Sequence, residues 1–160
     1  MEILILYAFL TISLSFLCSI LEAVLLSVNL TFIKIKIKEG KKYAEKLQSL
    51  KSSIDEPLII ILTLNTIAHT VGSIMVGVQA KIAYSTLQID NSYMILGTSV
   101  SEELLVGIIS TIMTVLILVL SEIIPKTIGA NYWDKLAQPS TIILSSILPV
   151  FKYTGLLWIL

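Results

Sequence analysis

The sequence has no arginine, a single cysteine and a single histidine among its 160 residues, and only 14% of it is charged. Soluble domains average about 25% charged residues. A chain this poor in charge, 56% hydrophobic and with a mean hydropathy of +0.93, is expected to be an integral membrane protein with room for only a few spans. The lone Cys18 excludes an intrachain disulfide, and its apolar setting makes it a small packing residue rather than a reactive thiol. One His and one Cys do not make a zinc or copper centre. Ser, His and Glu are present, but no G-x-S-x-G or comparable context accompanies them, so no enzyme is expected. No internal repeat is visible, and an inverted-repeat transporter within one chain is unsupported.

The basic residues are unevenly placed. All eleven are lysines, and seven of them lie between Lys34 and Lys51. That block falls between two apolar stretches, so a solvated cytoplasmic face explains it better than nucleic-acid binding does. Residues 3–33 contain one charge, Glu22, and exceed the roughly 20 residues a helix needs to cross a bilayer. Met1-Glu2-Ile3 lacks the positive region of a signal peptide, so this stretch reads as a retained span. The alternation from Ile33 to Lys38 reads as the same helix running out through the headgroups, with an edge strand as the rival. Gly40 ends it. Residues 41–52 form a short amphipathic helix with Tyr43, Ala44, Leu47 and Leu50 on its apolar side.

Asp55-Glu56-Pro57 opens the next helix, since acids near the N-terminus and Pro in the first turn are start signals. Residues 57–80 carry no formal charge and make span two. Asp90-Asn91-Ser92 is the clearest turn after it. Span three covers 104–124. The tail, 133–160, is interrupted by Pro139 and Pro149 and punctuated by Trp133, Tyr153 and Trp158, which suggests short helices along the cytoplasmic leaflet. The fold class expected is all-α: three transmembrane helices and a cytoplasmic-side belt, one domain over 1–160. Lysine asymmetry puts the loop after span one inside, hence the N-terminus out and the C-terminus in.

Glu122 is the most informative residue. It ends an uncharged run in Ser121-Glu122-Ile123-Ile124-Pro125-Lys126, and a carboxylate at membrane depth is a functional-site hypothesis by default. Pro125 has no N–H, so the carbonyl of Ser121 loses its helical partner. Carboxylate and freed carbonyl are hard donors of the kind Mg²⁺, Ca²⁺ or Na⁺ use. Ser15, Ser19 and Glu22 share one face of span one, and Asn65, His69 and Gly72 share one face of span two. Blander roles stand beside these. Serines in membrane helices often bond their own backbone, Asn65 can glue helices, and His69 is more often a packing residue than a ligand. Glu122 can pair with Lys126 at the favourable i, i+4 spacing.

Three segments together resemble the membrane domain of the CorC/cyclin M (CNNM) family, also called DUF21. Ser121-Glu122-Ile123-Ile124-Pro125-Lys126 is similar to its G-E-x-x-P-K hallmark, the run from Ser15 to Leu25 to its S-x-F-x-S-G-x-E-x-A-L pattern, and Leu64-Asn65-Thr66-Ile67-Ala68 to its Asn-Thr helix. The resemblance implies a homodimer in a bacterial or archaeal inner membrane. It also implies Mg²⁺ transport, generally export and Na⁺-coupled, with Mg²⁺ held by Ser15, Ser19, Asn65 and Glu122; Glu22, His69 and Ser121 are weaker candidates. The sequence departs from the pattern at Ser121 and Ile20, each in place of glycine, and at His69, where asparagine is frequent. The family's cytoplasmic CBS pair, a partner in longer members, is not within these residues. An ion-sensing scaffold or regulatory subunit without transport of its own is the alternative expectation.

Overall fold

The computed structural model describes residues 2–86, 93–95, 98–100, 115 and 118–153. Helix α1 spans Glu2–Ser27 and presents a broad open apolar face at its start: Ile5, Leu6, Phe9 and Leu10 are all at least 60% exposed. Water would not tolerate such a surface, but lipid does. Phe9–Ser27 is the one described helix long and apolar enough to cross a membrane by itself.

Span one was expected to run to residue 33 and on into the lysines. The helix instead stops at Ser27, and α2 begins at Leu30. Asn29 causes the break: its side chain accepts a hydrogen bond from the Phe32 N–H at 2.7 Å, the local bond that makes asparagine a helix start. Helix α2, Leu30–Lys38, closes through Gly40 at φ 72°, a left-handed conformation that glycine adopts without strain. The N–H of Gly40 reaches the Ile37 carbonyl and that of Lys41 the Lys36 carbonyl, the paired bonds of a Schellman ending. Helix α3, Lys42–Ser52, buries Ala44, Leu47 and Leu50 as its pattern implied. Its last lysine has an unforeseen task. Lys51 Nζ donates to the carbonyls of Leu25 and Leu26 at 2.8 and 3.2 Å, placing a cation on the unsatisfied C-terminal end of α1. Burial there pulls the Lys51 pKa below the ordinary lysine value.

Helix α4 runs from Asp55 to Thr86, 32 residues, so the Asp-Glu-Pro start holds and the helix is longer than the span assigned to it. Helix α3 and the stretch Asp55–Gly72 meet at 85° and reach the length and hydropathy of a span only as a pair. A short antiparallel hairpin, β1 Tyr93–Ile95 against β2 Thr98–Val100, pairs Met94 with Ser99 and is the one departure from an all-helical fold among the described residues. The turn expected at 90–92, most of span three and residues 154–160 lie outside the described residues.

The chain reappears as a π-helical turn, Val119–Ile123, followed by α5, Ile124–Asn131, and α6, Trp133–Tyr153. The tail is therefore one helix of 21 residues rather than several short ones. Pro139 and Pro149 are both exposed, so the carbonyls they leave unpaired face away from the packed side. That side carries Ala137, Ser140, Thr141 and Leu144, one stripe at helical spacing.

Helix α1 is the hub: α4, α5, α6 and the π turn all pack on it. Two apolar clusters join it to the lysine-rich layer. In one, Cys18, Leu21 and Leu25 meet Leu50, Ile61 and Leu144. In the other, Val24 and Val28 meet Ile33, Leu47 and Ala137. Trp133 closes the second cluster edge-on to Phe32, with ring centroids 5.0 Å apart. Lys152 reaches Glu56 at 2.7 Å and ties the end of α6 to the start of α4.

Candidate functional site

The π turn arises where sequence reasoning placed a fault. Pro125 offers no N–H to the Ser121 carbonyl four residues before it. The turn widens, and the Ile124 N–H bonds back to the Val119 carbonyl, five residues away. The Ser121 carbonyl then accepts the hydroxyl of Ser19 from α1 at 2.9 Å. A single interhelical bond satisfies the freed oxygen and fixes the height of the turn on α1. Insertions of this kind concentrate at functional sites.

Glu122, in the same turn, faces α4. Asn65 Nδ2 donates to Glu122 Oε1 at 3.3 Å, and His69 Nε2 lies 3.2 Å from the same oxygen. Ser15 closes the ring: its hydroxyl donates to Asn65 Oδ1 at 2.7 Å, and its Oγ is 2.9 Å from His69 Nε2. The single proton of Ser15 is committed to Asn65, and an ionised Glu122 only accepts. His69 Nε2 is therefore the donor toward both Ser15 and Glu122. Three elements thus bring a hydroxyl, an amide, an imidazole and a carboxylate into one ring, and every contact in it links different elements.

Burial grades across the ring. Ser15, Ser19 and Ser121 are 0% exposed, whereas the His69 and Glu122 side chains are 29% and 31% exposed. The approach is from the histidine and carboxylate side. Toward the start of α1, Leu10, Leu14, Val71 and Met75 line an apolar cleft of about 220 Å³ between α1 and α4. Gly72 permits that crossing: a Cβ there would overlap the Thr11 side chain.

Of the residues singled out in the sequence, Ser15, Ser19, Asn65, His69, Ser121 and Glu122 converge. Glu22 does not. It sits one turn further along α1 and faces Lys126 at 3.2 Å, so the Glu122–Lys126 pair allowed by spacing is replaced by a Glu22–Lys126 pair between helices. Thr66, beside Asn65, bonds its own helix through Leu62 and is exposed. Two buried oxygens, Ser121 Oγ and Glu22 Oε2, have no hydrogen-bond partner among the described residues; the contact of Glu22 Oε2 with Lys126 is an ion pair without hydrogen-bond alignment. Sequence reasoning missed Gly129. A Cβ on it would lie 2.8 Å from the Ala23 Cβ and 3.1 Å from the Ile20 carbonyl oxygen, so this glycine lets α5 lie directly on α1. Its signal was a small residue on a short apolar helix, a common mark of close helix contact in membranes.

No group of three or more His, Cys, Asp and Glu side chains lies together among the described residues. Whatever the ring binds must use hydroxyl and amide oxygens as well as Glu122, which suits hard cations.

Comparison with known proteins agrees with the geometry. The sequence model of the cyclin M transmembrane N-terminal domain matches residues 5–159. A UPF0053 protein of Synechocystis sp. is 32% identical over 143 residues, covering 89% of this chain and 36% of the relative. A UPF0053 protein of Haemophilus influenzae is 29% identical over 139 residues, covering 87% of this chain and 29% of the relative. The chain thus spans about a third of the length of the curated relatives it matches. No solved structure gives a significant match. With residues 5–159 matched by the family's domain model and a relative 32% identical over 89% of the chain, the chain belongs to the CorC/CNNM family as a cyclin M transmembrane domain.

Proposed function

We propose that the chain is the membrane domain of a Mg²⁺ transporter, working as a homodimer in a bacterial or archaeal inner membrane. Each subunit has three spans, with the N-terminus outside and the lysine-rich α2 and α3 on the cytoplasmic side. Mg²⁺ is the cargo, carried outward with Na⁺ as the coupling ion, and cytoplasmic CBS domains are the partner expected in longer family members. The observation that carries this reading is the ring around Glu122, where Asn65 donates its amide N–H to the carboxylate and receives the Ser15 hydroxyl on its amide oxygen.

Mg²⁺ sheds its water reluctantly. The ring offers in exchange the Ser15 hydroxyl, the Asn65 amide oxygen and the Glu122 carboxylate, with the Ser19 hydroxyl and Ser121 carbonyl beside them. Their mutual hydrogen bonds hold these groups in place before the ion arrives, so binding exchanges partners instead of ordering loose side chains. Glu122 supplies the charge, because the other nearby carboxylate, Glu22, is engaged by Lys126.

The test is Mg²⁺ flux in proteoliposomes, with and without a sodium gradient, for the wild type and Glu122→Gln. Sodium-dependent flux that the substitution abolishes supports the proposal. Equal flux from the two proteins refutes the site. Tight Mg²⁺ binding without flux by the wild type would turn the reading to an ion sensor.

A further inference from the structure

The ring contains one donor that an all-oxygen Mg²⁺ site does not need. His69 Nε2 is 2.9 Å from Ser15 Oγ and 3.2 Å from Glu122 Oε1, and Ser15 Oγ is 2.7 Å from Asn65 Oδ1. Adjacent ligands around an octahedral dication bound at about 2.1 Å are themselves about 3.0 Å apart. The imidazole nitrogen therefore has the spacing of a neighbouring ligand, on the more exposed side of the ring. We propose that His69 is a direct ligand through Nε2, and that this nitrogen makes the site select a first-row transition-metal dication over Mg²⁺ or Ca²⁺. The inference rests on the ring being a cation site, as proposed above, and concerns its intrinsic affinity at equal ion concentration, with Mg²⁺ remaining the abundant cargo.

The chemistry follows from the donor set. Hydroxyl, amide and carboxylate oxygens bind Mg²⁺, Ca²⁺ and Mn²⁺ without much distinction, whereas imidazole favours metals further along the series toward nickel and copper. One nitrogen among several oxygens suits six-coordinate ions, and the absence of a thiolate from the ring disfavours the soft ones. In the ion-free ring Nε2 carries a proton toward Ser15 and Glu122. In the bound state that proton is on Nδ1, and the Nε2 lone pair takes over the same direction. Glu122 is the one carboxylate of the ring.

The experiment uses the full chain in detergent, with Mn²⁺, Ni²⁺ and Mg²⁺ alone as probes. Pulsed EPR on the Mn²⁺-loaded wild type should show hyperfine coupling to an imidazole nitrogen. Equilibrium binding should give Ni²⁺ at least about tenfold tighter than Mg²⁺, and His69→Asn should remove about tenfold of Ni²⁺ affinity while changing Mg²⁺ affinity by less than about threefold. Bound Mn²⁺ without nitrogen coupling overturns the proposal, as does His69→Asn weakening both ions equally. If Glu122→Gln abolishes binding of both ions while His69→Asn does not alter their ratio, the cation site stands and the role of His69 falls. If the wild type binds none of the three ions, both readings fall together. The EPR measurement needs no variant, so a poorly folded His69→Asn protein does not protect the proposal.

Discussion

Two carboxylates project from the membrane helices at the α1 contact, and they are balanced in opposite ways. Glu122 meets dipoles: an amide N–H from Asn65 and an imidazole from His69. Glu22 meets a full opposite charge, Lys126, at 3.2 Å. A carboxylate held by dipoles keeps most of its charge for a visitor, while one joined to an ammonium has spent it. Proximity in sequence pointed the other way, since Lys126 is four residues from Glu122. The helix settles the choice: the π turn swings Glu122 toward α4 and leaves Lys126 on the face that meets α1.

The sharpest way to break this comparison is to neutralise each carboxylate in turn. Glu122→Gln should lower cation affinity by about a hundredfold or more, whereas Glu22→Gln should leave it within a few-fold, measured by equilibrium binding on the purified protein. Equal losses would erase the distinction. Next in size is Asn65→Ala. It removes the donor to Glu122 and the acceptor of Ser15 together, and should cost about 10- to 100-fold in ion affinity, with about 1–3 kcal/mol of stability lost from the polar groups left unpaired.

Gly129→Val tests the scaffold common to both carboxylates. The added side chain meets the Ile20 backbone, which cannot rotate away, so a loss of about 1–3 kcal/mol is expected in thermal unfolding. The smallest effect belongs to the Glu22–Lys126 pair. A double-mutant cycle with Glu22→Gln and Lys126→Met should give a coupling of only about 0.2–1 kcal/mol, because Lys126 is half exposed. A coupling of several kcal/mol would mean that the buried carboxylate end of the pair, and not the half-exposed lysine, sets its strength.

Much of this was legible in the residues, and the reasons differ from place to place. Asp55-Glu56-Pro57 announced a helix start because the chemistry of a first turn is local. The apolar side of α3 was readable from its period, and Ser15, Asn65 and Glu122 stood out because polar groups are costly in lipid. What could not be read depended on distance along the chain. Nothing near Lys51 says that its ammonium will close the end of α1, 24 residues earlier, and nothing near Lys126 names Glu22. The break at Asn29 was readable but lost to an apolar run that looked continuous. The prolines of the tail were overweighted: each removes one hydrogen bond, but on the exposed side of an otherwise well-packed α6 that loss does not end the helix.

The π turn has a consequence for how this domain can vary. Val119–Ile123 holds one residue more than an α-helical turn of the same height. Deleting Leu120 would let the segment close as ordinary helix at the same height, so the helix beyond it would keep its place while the turn itself narrowed. Lys126 and Gly129 would stay on the face that meets α1, whereas Glu122 and the Ser121 carbonyl would lose the wide curvature that now aims them at α4 and at Ser19. Replacing Leu120, an exposed side chain, with another apolar residue would alter little. Across descendants of this chain the turn should therefore tolerate spelling changes and resist changes of length, since it is the count of residues between Leu118 and Pro125, more than their identity, that keeps Glu122 in register with α4.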